Sequence, residues 1–193
     1  MNLKKKIVAL GMVCALAVGM ATSAFAVEVS TRGGSWGSPS HLYSYSAPSM
    51  TSPGSTYLNL EGNGSAYNHR PVTRAARTPS NDQMWSFVHF DLDNTQKCVS
   101  NQTDSSGNRT YALNLLRSTG SGGKYKCDIY RITSSDPNTK DSSVATVGDS
   151  SSFQIVLTGY GYALTPDENS RTMYWQPADY GVETKQYWNK EYS

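Results

Sequence analysis

Three histidines, His41, His69 and His89, are the side chains best suited to proton transfer or zinc ligation, and their spacing favours neither. None falls in an HxxH or HExxH pattern, which would set two imidazoles on one face for a metal. Isolated on polar segments, they read as hydrogen-bonded or surface residues. Asp91-Leu92-Asp93-Asn94 places two carboxylates and an amide at the end of an apolar run, hard oxygen ligands of the kind Ca²⁺ takes. The segment lacks the glycine and distal glutamate of an EF-hand loop, so it reads first as a polar strand end. Ca²⁺ is the one cofactor it leaves worth testing.

Nucleophiles are no better marked. The chain is rich in serine but has no GxSxG elbow, and Ser35 and Ser65 lie in glycine-rich stretches that read as turns. Glu28, Glu61, Asp91, Asp93, Asp128, Glu168 and Asp179 are carboxylates from which a glycosidase pair would have to be drawn, but nothing in the order of residues selects two. No catalytic residue is nominated, and the sequence leans away from an enzyme.

Aromatic residues are the more informative population, with 13 Tyr and 4 Trp set among Ser, Gly and Asn. Large flat rings with few rotatable bonds suit recognition of sugars or protein surfaces. Trp36, Tyr43, Tyr45, Tyr160, Tyr162, Tyr174 and Trp175 lie in or beside irregular segments and form the expected ligand-binding set. Trp85 and Phe87 sit in an apolar run and are expected in the core.

Where the chain works is suggested by its first residues. Lys4-Lys5-Lys6, an apolar run from Ile7 to Met20, and Ala24-Phe25-Ala26 follow the order of a cleavable export signal, with cleavage expected after Ala26. The run is shorter than the ~20 residues that span a bilayer, so no integral membrane segment is expected after cleavage. Three of the 17 basic residues and none of the 15 acidic ones lie in the signal, so its removal takes the formal charge from +2 to −1. That near-neutral balance argues against a nucleic-acid partner. A secreted, extracellular protein, of bacterial type by its short Lys-rich start, is the expectation. Cys14 leaves with the signal, and Cys98 and Cys127 are expected to pair in an oxidising compartment. Such a cross-link would stabilise by roughly 3–4 kcal/mol.

The elements that must position these residues are strands. Met84 to Leu92 is apolar on most of both faces and reads as a central strand. Arg109 to Arg117 and Tyr125 to Ile129 alternate at period two around a Ser/Gly connection and read as a hairpin, and Phe153 to Thr158 and Thr172 to Gln176 are further strands. Tyr160 and Tyr162 read as an extension of the former past Gly161. Residues 27–55 form a Gly/Ser/Pro/Tyr-rich arm with edge strands, 56–176 the β-domain, and 177–193 a polar tail. No repeat of fixed period is visible. The fold class is all-β, an antiparallel β-sandwich or barrel of about seven to nine short strands with one disulfide. The leading functional expectation is a non-catalytic secreted domain binding a glycan or protein surface, of unknown oligomeric state. The rivals are a structural or self-associating surface protein and an extracellular hydrolase or toxin without a recognisable motif.

Overall fold

The computed structural model describes residues 37–44, 57–150, 152–179 and 184–192. Among them are twelve strands: β1 (Ser40–Ser44), β2 (Tyr57–Leu60), β3 (Val72–Ala75), β4 (Met84–Phe90), β5 (Thr95–Ser100), β6 (Tyr111–Leu115), β7 (Tyr125–Arg131), β8 (Ser143–Gly148), β9 (Phe153–Leu157), β10 (Tyr162–Pro166), β11 (Met173–Pro177) and β12 (Tyr187–Tyr192). The all-β antiparallel expectation holds, with more strands than expected because several are only four or five residues long. The export signal, Trp36 and Tyr45 lie outside the described residues.

Six strands close a barrel. Antiparallel pairs run β1 to β4, β4 to β5, β5 to β8, β8 to β9, β9 to β12, and β12 back to β1. Closure leaves no free sheet edge in the ring, which a short-stranded protein needs in order to avoid edge pairing. The arm at 27–55 and the tail at 177–193 each supply a stave, β1 and β12, paired with each other over five residues. The other six strands form three hairpins, β2–β3, β6–β7 and β10–β11. Bridges Pro71 to Asp128 and Thr73 to Thr172, with pairing of β7 to β11, tie the hairpins into a cap over one end. This is a β-trefoil arrangement of three four-stranded repeats, β1–β4, β5–β8 and β9–β12.

The repeat is invisible as a fixed period because its loops differ in length, but its joints recur. Each fourth strand is preceded by a single helical turn: Asn81–Gln83, Thr139–Ser142 and Thr184–Gln186. In repeat one the turn leads into Gln83-Met84-Trp85, and in repeat three into Gln186-Tyr187-Trp188. Gln83 donates to Ala76 O (2.6 Å) and accepts from the Thr78 N–H (2.7 Å); Gln186 donates to Pro177 O (3.1 Å) and accepts from the Asp179 N–H (2.8 Å). Both amides thus fasten the connection leaving the third strand, satisfying backbone groups that burial would otherwise strand. Trp85 Nε1 donates to Leu58 O (3.1 Å) and Trp188 Nε1 to Leu164 O (3.0 Å), each reaching its own repeat's second strand. Repeat two has Ser142 and Val144 in these places, and the indole that binds its second strand is Trp175 of repeat three, donating to Asn114 O (3.0 Å).

All three of these tryptophans are fully buried in one core with Leu42, Leu113, Ile129 and Ile155. The expected disulfide is absent. Cys98 and Cys127 are free, buried thiols, and burial pushes both well above the usual thiol range. The reason is topological: Cys98 lies on β5 and Cys127 on β7, with β6 running between them. Two strand spacings amount to about 9–10 Å, beyond the reach of a disulfide. Both sulfurs serve as small apolar groups in the core.

Candidate functional site

The repeat frame sets up one groove per repeat, between the end of the second strand, the third strand and the turn before the fourth. Three positions before each core residue Trp85, Val144 and Trp188 stands a charged side chain: Asp82, Asp141 and Lys185. Each is ion-paired to a partner at the groove. Arg70 meets Asp82 at 2.9 Å, Arg117 meets Asp141 at 2.9 Å, and Glu168 meets Lys185 at 2.7 Å, so repeat three carries the same pair with its polarity reversed.

In repeat one the groove is closed. The Arg70 side chain is 1% exposed and donates to Glu61 O (2.8 Å), Gly62 O (2.7 Å) and Gly64 O (2.9 Å) besides Asp82. With Ser65 O (3.4 Å) as a fourth carbonyl, its five N–H groups are held by protein carbonyls and a carboxylate, so a ligand has nothing to bind there. In repeat three a small cleft of about 120 Å³ is lined by Asp167, Glu168, Tyr174, Gln176 and Lys185. In repeat two the groove is open, about 370 Å³, with Tyr130, Asn114, Arg117, Asp136, Asn138 and Asp141 on its walls.

The open groove is built by loops on rigid strands. Tyr130 is half-buried at the end of β7, and Asp136 is exposed in the following turn, where its Oδ1 accepts from the Asn138 N–H (3.1 Å). Asn138 adopts φ 47°, the left-handed conformation that Asn tolerates, and its amide donates to Asn114 Oδ1 (2.8 Å) and Ser142 Oγ (2.6 Å). Asp141 accepts from Arg117 Nε and from the Tyr160 hydroxyl (2.7 Å). Burial and that hydrogen bond push the Tyr160 hydroxyl up to about 12.

One wall comes from repeat one. His69, at φ 65°, reaches across so that its Nδ1 meets Asp128 Oδ2 at 2.7 Å and its ring lies 5.4 Å from that of Tyr130. Its backbone N–H donates to Ile129 O (2.8 Å), which fixes this unusual position. Burial holds the Asp128 carboxyl above its ordinary range, against the pull of the Asn114 amide at 2.5 Å and of His69.

Of the aromatic set read from sequence, Tyr160 and Tyr162 come together. Their rings stack at 5.7 Å, Tyr125 continues the stack at 5.8 Å from Tyr162, and Lys140 Nζ lies 5.5 Å from the Tyr160 ring centre. Asp141 joins this stack to the groove. Tyr160 sits in the turn between β9 and β10, and Tyr162 opens β10, so the two do not extend a single strand. Tyr174 lines the cleft of repeat three, whereas Tyr43 is half-buried on β1 against Tyr57 (5.5 Å). Trp175 is a core residue with no exposed surface, a correction that follows from its alternation with half-buried Tyr174 on β11. Asp91 and Asp93 do not converge. His89 lies 3.4 Å from Asp91, while Asp93 is held by buried Lys97 (2.9 Å) and the hydroxyls of Thr95 and Thr139. Among the described residues no cluster of three or more His, Cys, Asp or Glu has the arrangement of a metal site.

Tyr130, Arg117, Asp136, Asn138 and Asp141 were not nominated from the sequence, and His69 was read there only as a hydrogen-bonded or surface residue. For Asp141 alone a signal exists, the Gln-x-Trp recurrence at 83–85 and 186–188, which defines the repeat from which Asp82, Asp141 and Lys185 follow by position.

No family model matches this chain, and no curated protein matches it by sequence. Solved structures do resemble it. A ricin B-like lectin of Macrolepiota procera, determined in complex with lactose, is 14% identical with a TM-score of 0.54, covering 82% of this chain and 98% of the lectin. The Rhizoctonia solani agglutinin is 14% identical at a TM-score of 0.54, covering 81% and 95%. A designed three-fold symmetric protein, ThreeFoil, is 17% identical at 0.52, covering 79% and 96%. At these identities the likeness is one of fold, and it agrees with the three repeats described above.

Proposed function

We propose that this chain is a carbohydrate-binding domain whose principal site is the groove of repeat two. The observation that carries the reading is the convergence, in that groove, of the half-buried Tyr130 ring with an exposed carboxylate, an amide and a guanidinium. A sugar offers C–H bonds on its faces and hydroxyls on its edges. An aromatic wall receives the first, and Asp136, Asn138 and Arg117 accept from or donate to the second. The fold it shares with a lectin solved with lactose and with an agglutinin supports the same reading. Export after removal of residues 1–26 would put the groove where free glycans occur, and the mature domain acts by binding.

The test is a glycan array followed by titration calorimetry on residues 27–193. Tyr130→Ala should weaken the best glycan roughly tenfold, equivalent to about 1.4 kcal/mol, with the thermal midpoint little changed. Full binding by the variant would remove the groove from consideration.

One observation favours a second reading. His69 and Asp128 form a histidine–carboxylate pair at the groove edge, the arrangement a hydrolase uses to orient a general base. Release of reducing ends from a bound glycan, abolished in His69→Gln with binding retained, would favour that reading over pure recognition.

A further inference from the structure

Outside the three grooves, a cavity of about 390 Å³ opens beside the barrel, between β1, the turn before β4 and the residue after β5. It is lined by Pro39, His41, Arg77, Pro79, Asn81 and Asn101, within the size range of small-ligand sites. It is not the repeat-one groove, which Arg70 fills.

Two of its lining residues are buried and incompletely bonded. His41 is 2% exposed; its Nε2 donates to Thr78 O (3.1 Å), which in the neutral ring leaves the lone pair on Nδ1, and Nδ1 has no partner among the described residues. Asn101 is 8% exposed; its Nδ2 donates to Asn81 Oδ1 (3.0 Å), and its Oδ1 likewise has no partner. Buried polar atoms are nearly always paired, so two orphan acceptors lining one cavity point to something that brings donors to both. A cation is disfavoured, because none of the described residues lining the space is a carboxylate. An anion is disfavoured by the two acceptors, and Arg77 already donates to Glu191 (2.8 Å). What remains is a neutral molecule rich in O–H donors, with C–H surface for Pro39 and Pro79.

We propose that this cavity is a second saccharide subsite, in which adjacent hydroxyls of one sugar donate to His41 Nδ1 and Asn101 Oδ1. The inference rests on the carbohydrate reading for the class of ligand, but on different residues for the site. The domain is then bivalent, with sites in repeats one and two, and a multivalent glycan would bind it with gain from effective concentration.

The experiment titrates lactose and the methyl β-glycosides of glucose, galactose and N-acetylglucosamine into the isotopically labelled chain, following the Asn101 side-chain amide, the His41 imidazole and Tyr130 by NMR. The expected result is sugar-dependent shifts at both sets. Pro79→Trp, at an exposed position, should fill the cavity and abolish the His41 and Asn101 shifts while leaving those of Tyr130. Tyr130→Ala should do the reverse, and Asn101→Leu should weaken the second site by about tenfold. Thermal unfolding checks that each variant is folded. Shifts at Tyr130 alone would overturn the proposal, leaving ordered water in the cavity and the carbohydrate reading intact. Shifts at neither set would overturn both.

Discussion

Repeats one and two start from the same joint, an aspartate three positions before a core residue with an arginine paired to it, and end with opposite grooves. In repeat one the arginine is Arg70, which enters from the β2–β3 hairpin, is 1% exposed, and fills the groove with its own side chain. In repeat two it is Arg117, just past β6, 58% exposed, and the groove beside it stays open. The lesson is that the frame places the charge and the arginine's point of entry decides whether a ligand can reach it. Repeat three makes the same point from the other side, since Glu168 and Lys185 keep the pair with the signs exchanged.

The two arginines should differ most in what their removal costs. Arg70→Ala leaves Asp82 buried without its cation and four carbonyls without a donor, and should destabilise by about 3–5 kcal/mol, read from chemical denaturation. Arg117→Ala should move the unfolding midpoint far less, because the guanidinium is itself 58% exposed and Asp141 keeps the Tyr160 hydroxyl as a donor. Equal losses would mean that the two pairs do the same job.

The glutamine joints give the next largest effect. Gln186→Ala removes a buried amide that serves Pro177 O and the Asp179 N–H, at a cost of about 1–3 kcal/mol. Ser142→Ala in repeat two, which removes one side-chain bond to Asn138, should cost less, about 1 kcal/mol. Denaturation of the two variants side by side checks the order.

The smallest effect is a basic limb. The hydroxyls of Tyr160 and Tyr57 are each pushed up to about 12, first by burial and then by a hydrogen bond to Asp141 or Glu191. The folded state therefore holds those protons more tightly than the unfolded chain. The stabilisation is complete below the ordinary tyrosine pKa of about 10 and is lost as pH rises from there through about 12. Tyr160→Phe should flatten the part of this decline that belongs to the groove of repeat two, while Tyr57→Phe should flatten the part at the β1–β2 corner.

What could be read from the sequence was the material of the frame. The alternation within Arg109 to Arg117 and Tyr125 to Ile129 announced a hairpin, and the doubly apolar run from Met84 to Leu92 announced a central strand, which ends at Phe90 as β4 and pairs with β1 and β5. The repeat stayed hidden because its middle copy has replaced glutamine and tryptophan by Ser142 and Val144 and borrowed its indole from Trp175. Without the repeat, Asp141 is one acidic residue among many. Tyr130 and His69 were beyond reach for a further reason: they meet only because the cap joins the hairpins of different repeats. Loop position was also a poor guide to exposure, since Trp175 was expected on the surface and is buried, and one residue away Tyr174 is not.

Whether a glycan binds in the open groove of repeat two is decided by titrating the best array glycan into the labelled chain and mapping the perturbed residues by NMR. Binding there should give saturable shifts at Tyr130, Asp136, Asn138 and Arg117, with Asp82 and Arg70 unmoved. Saturable shifts centred on Arg70 and Asp82, or none in any groove, would contradict it.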